Sequence, residues 1–344
     1  MSGVEKVQPA FQPSALALIL KHTNITTIND FIIVGFPGLP PEYYGPVSAL
    51  LLLIFLAIVV GNASILAVII FERTLHKPMY WVIFHLAMTD LTFGIVTIPK
   101  VLARYWWNDM ITSFGACFTQ MYFVHSLAAF NSSVLMIMAF DRFVAIWLPF
   151  RYPVLITNKT ICVACSLCCT VTFIRMLGLV LHASSLPYCN LNVITQIYCD
   201  HLSVTQLGCG ENVIYVKFIA FVNSMFSLLG PLTIIIFSYT SVVIATLKMS
   251  EKRHKILSTC APQIFITCIY YVPRCFVYIA NNLGLNFSTD ARVIITTMYS
   301  LIPCAVNPLV YCFKTQDIKE VLIKRFKRRK VCIVFKTDFK HNIS

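Results

Sequence analysis

The sequence predicts an all-α membrane protein, a bundle of seven transmembrane helices. First, 58% of the 344 residues are hydrophobic and only 12% are charged, with a mean hydropathy of +0.77. Soluble domains are about a quarter charged, so this composition excludes a large soluble domain. Second, seven segments reach the length of about 20 mostly apolar residues that crosses a bilayer. Third, the segments are joined by short loops, and no internal repeat is visible.

The seven predicted spans follow one another along the chain. They are roughly residues 47–71, 79–103, 117–141, 160–183, 213–244, 257–280 and 291–313. Several contain proline, glycine or serine, which membrane helices tolerate because neighbouring helices satisfy the freed backbone groups. We expect an extracellular N-terminal tail of residues 1–45, a seven-transmembrane domain of residues 46–313 and a cytoplasmic tail of residues 314–344.

The net charge is +13, and the distribution of basic residues predicts the orientation in the membrane. Roughly 19 of the 27 lysines and arginines lie in loops and a tail that are cytoplasmic if the N-terminus is outside. This asymmetry follows the positive-inside rule and explains the charge without a nucleic-acid partner. The sequon Asn24-Ile25-Thr26 agrees, because glycans are added only on the lumenal side. We therefore predict a multi-pass protein of the cell membrane, glycosylated at Asn24.

A short amphipathic helix is predicted directly after span seven, in the stretch KTQDIKEVLIKRFKRRK. Its apolar residues Ile318, Val321, Leu322 and Phe326 repeat with a helical period among lysines and arginines. Such a helix lies on an anionic membrane surface, so we expect it to contact membrane lipids.

Four of the 14 cysteines fall on the predicted outer side: Cys117, Cys189, Cys199 and Cys209. An even number in an oxidising compartment indicates two disulfides, and three pairings are possible. A metal site is the alternative, but the intervals of about ten residues match no compact zinc spacing. The cysteines at positions 162, 165, 168 and 169 lie inside an apolar helix, where we expect buried thiols rather than an iron–sulfur cluster. No cofactor is expected.

Polar residues inside the spans are candidates for function, because they are costly in a bilayer and usually face the bundle interior. Asp90 in span two and Asn62 in span one are of this kind. Span seven ends in PCAVNPLVYCF, where Pro308 frees a backbone carbonyl and permits a bend. Asn307 is placed to reach Asp90 through water, and Tyr311 follows one turn later. We therefore expect span seven to be a helix that can adopt two conformations.

An acid and an arginine, Asp141 and Arg142, close span three in the stretch MAFDRFVAIWLPFRYP. Cys117 and Arg142 are 25 residues apart, which on one helix is roughly 37 Å. One end of this helix is therefore expected outside and the other in the cytoplasm. In the resting state we expect Arg142 to form a charge-assisted hydrogen bond with Asp141.

Together these motifs resemble the rhodopsin-like G-protein-coupled receptors and, among them, the odorant receptors. The resemblance spans about residues 24–329 and is carried by GN at 61–62, PMY at 78–80, MAFDRFVAIWLPFRYP at 138–153, KILSTCAPQ at 255–263 and NPLVY at 307–311. YYVP at 270–273 and Arg175 in span four are more similar to the fish-like class I branch than to class II. Phe143 departs from the pattern, because the family usually has tyrosine there.

The resemblance implies a function and selects one disulfide pairing, Cys117 with Cys199 and Cys189 with Cys209. It implies an odorant receptor rather than an enzyme, which binds a small odorant in the outer half of the bundle. The expected partner is a stimulatory, olfactory-type heterotrimeric G protein, whose activation raises cyclic AMP.

The resemblance also implies a mechanism of activation. Span six is expected to swing outward on the inner face, with Pro273 as the bend. Arg142 and Tyr239 would then face a G-protein helix, and Lys255 would border the opening. A ligand that binds the open state better is sufficient to shift the population.

The odorant pocket is predicted between spans three, five, six and seven. Its most unusual residue is Arg274 in span six, and we expect the planar guanidinium to pair with an anionic group of the odorant. The alternatives are an internal partner, such as Glu211 or Asp200, or exposure to lipid head groups. The other candidate ligand contacts are His125, Asn223, Tyr278, Thr297 and Ser300.

Two other classes of function are alternatives to an odorant receptor. A non-olfactory chemoreceptor for a lipid mediator, metabolite or peptide would share the same motifs. A transporter or channel would need broken helices in matched halves or charged rings along a pore, and the sequence contains neither.

Overall fold

The computed structural model describes residues 28–189, 192–247, 253–282, 287–314 and 317–324. Seven of its helices are long and apolar enough to cross a membrane. In chain order they are α1 (Tyr44–Phe71), α2 (Pro78–Trp107), α3 (Phe114–Trp147), α4 (Asn158–Ser184), α5 (Asn212–Leu247), α6 (Arg253–Asn282) and α7 (Thr289–Lys314). The predicted seven-helix bundle is confirmed, and each predicted span lies within the corresponding helix.

Local sequence signals account for several helix ends. Pro78 opens α2, where its missing N–H costs no hydrogen bond. Asn108 ends the same helix in the left-handed conformation, at φ 53°, which asparagine tolerates better than most residues. At the start of α4 the hydroxyl of Thr157 accepts a hydrogen bond from the Thr160 N–H at 3.1 Å. This bond satisfies one of the free N–H groups of the first turn.

Helix α3 is the centre of the bundle. In the most apolar stretch of 18 residues in α3, 67% is buried inside the protein, compared with 28% in the corresponding stretches of α4 and α5. Its 34 residues make a rod about 50 Å long, so residues at its two ends are joined by one rigid element.

A small β-sheet covers one end of the bundle. Its strands are β1 (Asp30–Ile33), β2 (Ile111–Ser113) and β3 (Val193–Ile194), in the order β2-β1-β3. β1 runs antiparallel to β2 and parallel to β3. We call this end of the bundle the sheet end. The all-α prediction did not include the sheet, because strands of two to four residues are too short to show a period-2 pattern.

Phe31 of β1 anchors the sheet to the bundle, and its removal is expected to destabilise the protein. Its ring is fully buried and contacts the rings of Phe114, Phe118 and Tyr188. Phe31→Ala should lower the free energy of unfolding by about 3–5 kcal/mol. Thermal unfolding of the purified protein measures this loss. Ile111→Ala in β2 is the matched control, because that side chain is 64% exposed and should cost little.

Two disulfides hold the loop between α4 and α5 at the sheet end. They join Cys117 to Cys199, with Cα atoms 5.4 Å apart, and Cys189 to Cys209, with Cα atoms 6.0 Å apart. Both distances suit a disulfide. These are the two pairs that the family resemblance implies.

At the opposite end of the bundle, residues 317–324 form a further helix, α8. Ile318 is fully buried against the core, while the hydroxyl of Tyr80 in α2 donates to Asp317 at 2.7 Å. Lys77 lies 3.5 Å from the same carboxylate. The predicted helix after span seven is therefore present and docks on α2, although Phe326 lies outside the described residues.

Candidate functional site

A cavity of about 320 Å³ lies in the half of the bundle nearest the sheet end. Side chains of α3, α4, α5, α6 and α7 form its walls, together with Phe93 of α2. The loop between α4 and α5 closes it, because Tyr198, Asp200 and part of the helix His201–Thr205 also line the cavity. The Cys117–Cys199 disulfide fixes this loop to α3 beside the cavity. A cavity of this size suits a small molecule.

Four of the six predicted ligand contacts line the cavity: His125 of α3, Asn223 of α5, Arg274 of α6 and Ser300 of α7. The structure does not bring Thr297 to the cavity wall. Thr297 is buried, and its hydroxyl donates to the Val293 carbonyl of its own helix at 2.8 Å. The side chain of Tyr278 lies outside the described residues.

His125 belongs to a cluster with two residues of the loop. Its Nε2 accepts a hydrogen bond from the backbone N–H of His201 at 3.2 Å and lies 3.6 Å from Asp200 Oδ1. Because Nε2 accepts from the His201 N–H, it carries no proton, and its contact with Asp200 becomes an ion pair only if that hydrogen bond is lost and the imidazole is protonated. The other carboxylate oxygen of Asp200 caps the helix His201–Thr205 by accepting from the N–H groups of Leu202 and Ser203, at 3.2 and 3.3 Å. The cluster thus fastens the loop over the cavity.

His201 is expected to make the stability of the protein depend on pH. Burial and the neighbouring His125 lower its pKa to about 4, against the opposing effect of Asp200. In the unfolded chain the pKa is about 6.5. Between these values the unfolded chain binds a proton that the folded chain does not, so stability falls as the pH decreases from 6.5 towards 4. The loss reaches on the order of 3 kcal/mol.

The unfolding temperature of the purified protein, recorded from pH 7.5 down to pH 5, measures this effect, because the loss of stability begins in this pH range. His201→Gln should flatten the dependence. His182→Gln is the matched control, because His182 is exposed and should leave the slope unchanged. An equal slope in all three proteins would assign the pH dependence to other groups.

Arg274 presents a positive charge to the cavity. Its Nη1 donates to the Tyr270 carbonyl at 2.8 Å, and its Cζ lies 3.8 Å and 4.9 Å from the ring centroids of Tyr270 and Tyr299. No carboxylate in the described part of the chain lies within 4.0 Å of it. The internal ion pair considered for Arg274, with Asp200 or Glu211, is therefore not formed. The two aromatic rings stabilise the cation through their faces and leave its remaining donors for a ligand.

Several cavity residues were missed by the sequence analysis, among them Lys217, Tyr198 and Tyr299. A lysine inside a predicted span was itself a signal, because charged groups in membrane helices usually have a function. The two tyrosines gave no such signal in the sequence, since aromatic residues are common in cores and at membrane interfaces.

Arg175 of α4 does not line the cavity but binds a residue of α5 that does. Its Nη2 donates to the hydroxyl of Ser227 at 2.7 Å, and its Cζ lies 5.1 Å from the ring centroid of Phe226. Ser227 lines the cavity, and its backbone carbonyl accepts from Ser132 of α3 at 3.1 Å. Pro231 lacks the N–H that would normally occupy that carbonyl, so Ser132 compensates for the proline and ties α5 to α3.

A buried polar cluster joins the helices near the middle of the bundle. Asp90 of α2 accepts from Asn131 of α3 at 2.9 Å and from Asn307 of α7 at 2.7 Å. The expected contact between Asn307 and Asp90 thus exists, but it is direct and does not pass through water. Asn62 of α1 donates to the Cys304 carbonyl at 3.0 Å, which Pro308 leaves free of its helical partner.

The close approach of α1 to α7 explains a glycine in the same region. A Cβ atom at Gly61 would lie 2.9 Å from Cβ of Pro308, closer than real contacts allow. Tyr311 is buried one turn after Pro308, against the same core as the partly buried Tyr239 of α5. The predicted activation residues of α1, α2 and α7 therefore share one packed region.

Arg142 and Asp141 have different partners from those expected. Asp141 accepts a hydrogen bond from the Tyr152 hydroxyl at 2.9 Å. Burial and the Asp141 carboxylate raise the pKa of this phenol, so it stays a donor. Arg142 Nε donates to the Gln263 side chain of α6 at 3.1 Å, and its Nη2 contacts the Met79 sulfur. The expected Asp141–Arg142 bond is therefore replaced by a bond from α3 to α6, because Arg142 points towards α6.

Some predicted residues cannot be placed. The side chain of Lys255 and all of Asn24 lie outside the described residues. Within the described residues no group of three or more histidine, cysteine or acidic side chains could hold a metal ion.

Comparison with known proteins identifies, along most of the chain, the same family that the sequence motifs resemble. A family model described as olfactory receptor matches residues 51–329. Human olfactory receptor 52B2 is 32% identical over 311 residues, covering 89% of this chain and 96% of that protein. Human olfactory receptor 52N2 is 35% identical over 324 residues, covering 91% of this chain and 98% of that protein. Human olfactory receptor 52N5 is 35% identical over 309 residues, covering 87% and 93%.

Proposed function

We propose that this chain, which belongs to the olfactory receptor family, binds a small odorant in the cavity near the sheet end and activates a stimulatory, olfactory-type heterotrimeric G protein. The family consists of signalling receptors, so the chain is a multi-pass membrane receptor and not an enzyme. The observation that carries the proposal is the position of the cavity, which α3 connects to Arg142 at the opposite end.

The orientation that we propose places the sheet end outside the cell. Both disulfides lie at that end, and disulfides form in oxidising compartments. Lysines and arginines are concentrated in the segments on the other side, as the positive-inside rule requires of cytoplasmic segments. In this orientation the N-terminal tail with Asn24 is extracellular and α8 lies against the cytoplasmic leaflet.

We further propose that the odorant carries an anionic group that binds Arg274. The guanidinium lines the cavity and has no carboxylate within 4.0 Å in the described residues. An anion would supply the missing countercharge through the paired donors of the guanidinium. His125, Asn223 and Ser300 offer further polar contacts on neighbouring walls.

Activation is proposed to act on the bond between Arg142 and Gln263. This bond holds α6 against α3 at the end that we assign to the cytoplasm. A ligand that binds better when α6 has moved outward would shift the population towards that state. Arg142 and Tyr239 would then be available to a helix of the G protein, next to Lys255.

Cyclic-AMP measurements in transfected cells test the proposal. Surface labelling must first confirm that the receptor reaches the plasma membrane. Carboxylic acids, amines, alcohols, aldehydes and esters are then applied, and at least one class should raise cyclic AMP above the level in cells that express no receptor. A receptor that is present at the surface and responds to no odorant, or that instead produces an ion current, would contradict the proposed function.

A further inference from the structure

Lys217 provides a second cation in the odorant cavity. It is the sixth residue of α5, about 8 Å along the helix from Asn212 at the sheet end. Arg274 lies eight residues before the end of α6, about 12 Å from that end. The same cavity therefore carries two positive charges on two different helices, with Lys217 nearer the sheet end.

Neither cation is paired with a carboxylate of the described cavity lining. Among the described residues that line the cavity, Asp200 is the only one with a carboxylate. One of its oxygens accepts from two backbone N–H groups, and the other faces His125 at 3.6 Å. The ion pairs that lysine and arginine form in the described part of the chain are Lys77–Asp317 and Lys100–Asp109, so neither Lys217 nor Arg274 is paired with a carboxylate there.

Two like charges in one cavity are costly, because walls of low dielectric constant weaken the screening between them. A ligand with one carboxylate that binds Arg274 would leave Lys217 without a carboxylate partner. We propose that the preferred ligand carries two anionic groups, one bound by Arg274 and the other by Lys217. This inference rests on the proposed function and extends it to a ligand class, small aliphatic dicarboxylates.

Other residues that line the same cavity suit the body of such a ligand. Phe221, Val124 and Leu228 offer apolar surface for a carbon chain, and Ser224 and Asn223 add polar contacts on α5. The volume of about 320 Å³ favours a short diacid over a lipid or a peptide.

The test compares each diacid with its own monomethyl ester, which has the same carbon chain and one charge fewer. Dose–response curves for cyclic AMP are recorded with the series from glutaric to sebacic acid. At least one diacid should be about tenfold or more potent than its ester in raising cyclic AMP, as expected for one additional charge-assisted hydrogen bond. Lys217→Met should remove this advantage, and Lys217→Arg should preserve most of it.

Lys100→Met is the matched control. Lys100 also lies at the sheet end, but it pairs with Asp109 at 2.8 Å and does not line the cavity. If Lys100→Met reduces the diacid advantage as strongly as Lys217→Met, the preference reflects long-range attraction and the proposed contact is wrong. Diacids and esters of equal potency would overturn the inference as well.

Failure of this inference can be separated from failure of the proposed function. A receptor that responds to monoacids or neutral odorants, without preference for diacids, remains an odorant receptor and refutes the inference alone. Ligand-induced stabilisation of the purified receptor measures the diacid preference without any G protein. An equal rise in unfolding temperature with diacid and ester would refute the inference even in a receptor that does not signal.

Discussion

Replacing Arg274 with methionine is expected to lower the potency of acidic odorants about a hundredfold. Methionine keeps most of the length and apolar contact of the side chain but removes the charge and all five donors. A ligand carboxylate would then lose its partner while remaining out of bulk water, a loss of about 3 kcal/mol. Cyclic-AMP dose–response curves measure the shift, with surface expression matched to that of the unmodified receptor.

Two controls separate this effect from a general loss of structure. Arg292→Met removes a charge from an exposed position at the sheet end that does not line the cavity, and it should change potency little. A neutral ester of the same odorant should be far less sensitive to Arg274→Met than the acid. Equal losses for acid and ester would mean that Arg274 shapes the cavity and does not bind the anion.

Arg274→Lys tests the geometry of the contact. A lysine retains the charge, but it lacks the planar fork and stacks less well on the rings of Tyr270 and Tyr299. Its potency for acids should therefore fall between those of the native receptor and the methionine variant.

The sequence predicted those parts of the molecule that depend on length, composition and fixed spacing. Seven apolar runs determine seven helices, and the cost of a polar group in a membrane determines that Asp90 and Asn307 face inward. Their mutual contact follows, because few partners exist in the bundle interior. The same reasoning would have identified Lys217, had each charged residue within a span been treated alike.

The remaining features depend on the rotation of helices and on the path of loops. One residue turns a helix face by about 100°, so Thr297 and Ser300 could not be distinguished as wall residues from the sequence. The contact of His125 with His201 requires the loop to fold back over the cavity, and no periodic pattern encodes that path. For Arg142, the adjacent Asp141 was the obvious partner, but neighbours in a helix point in different directions. Gln263 lies on another helix and is found only in three dimensions.

Removing the side chain of Arg142 is expected to abolish signalling while the receptor still reaches the cell surface. In the state described here the guanidinium contacts Gln263 and Met79, and neither contact is an ion pair. We expect the larger effect in the active state, where the charge would bind backbone or acidic groups of the G protein. Arg142→Ala should weaken that complex about thirtyfold or more. Agonist-induced cyclic AMP should fall close to background.

Gln263 distinguishes the two roles of Arg142, because it contacts the arginine only while α6 lies against α3. Gln263→Leu removes the acceptor of the hydrogen bond that Arg142 donates. A hydrogen bond with a charged group contributes about 1.5–3 kcal/mol, and this one stabilises only the resting state. The active fraction without ligand should rise about tenfold or more, and basal cyclic AMP with it. Gln263→Glu should act in the opposite direction, because it converts the hydrogen bond into an ion pair. If both substitutions changed basal cyclic AMP in the same direction, the contact between α3 and α6 would not control activation, and Arg142 would serve only to bind the G protein.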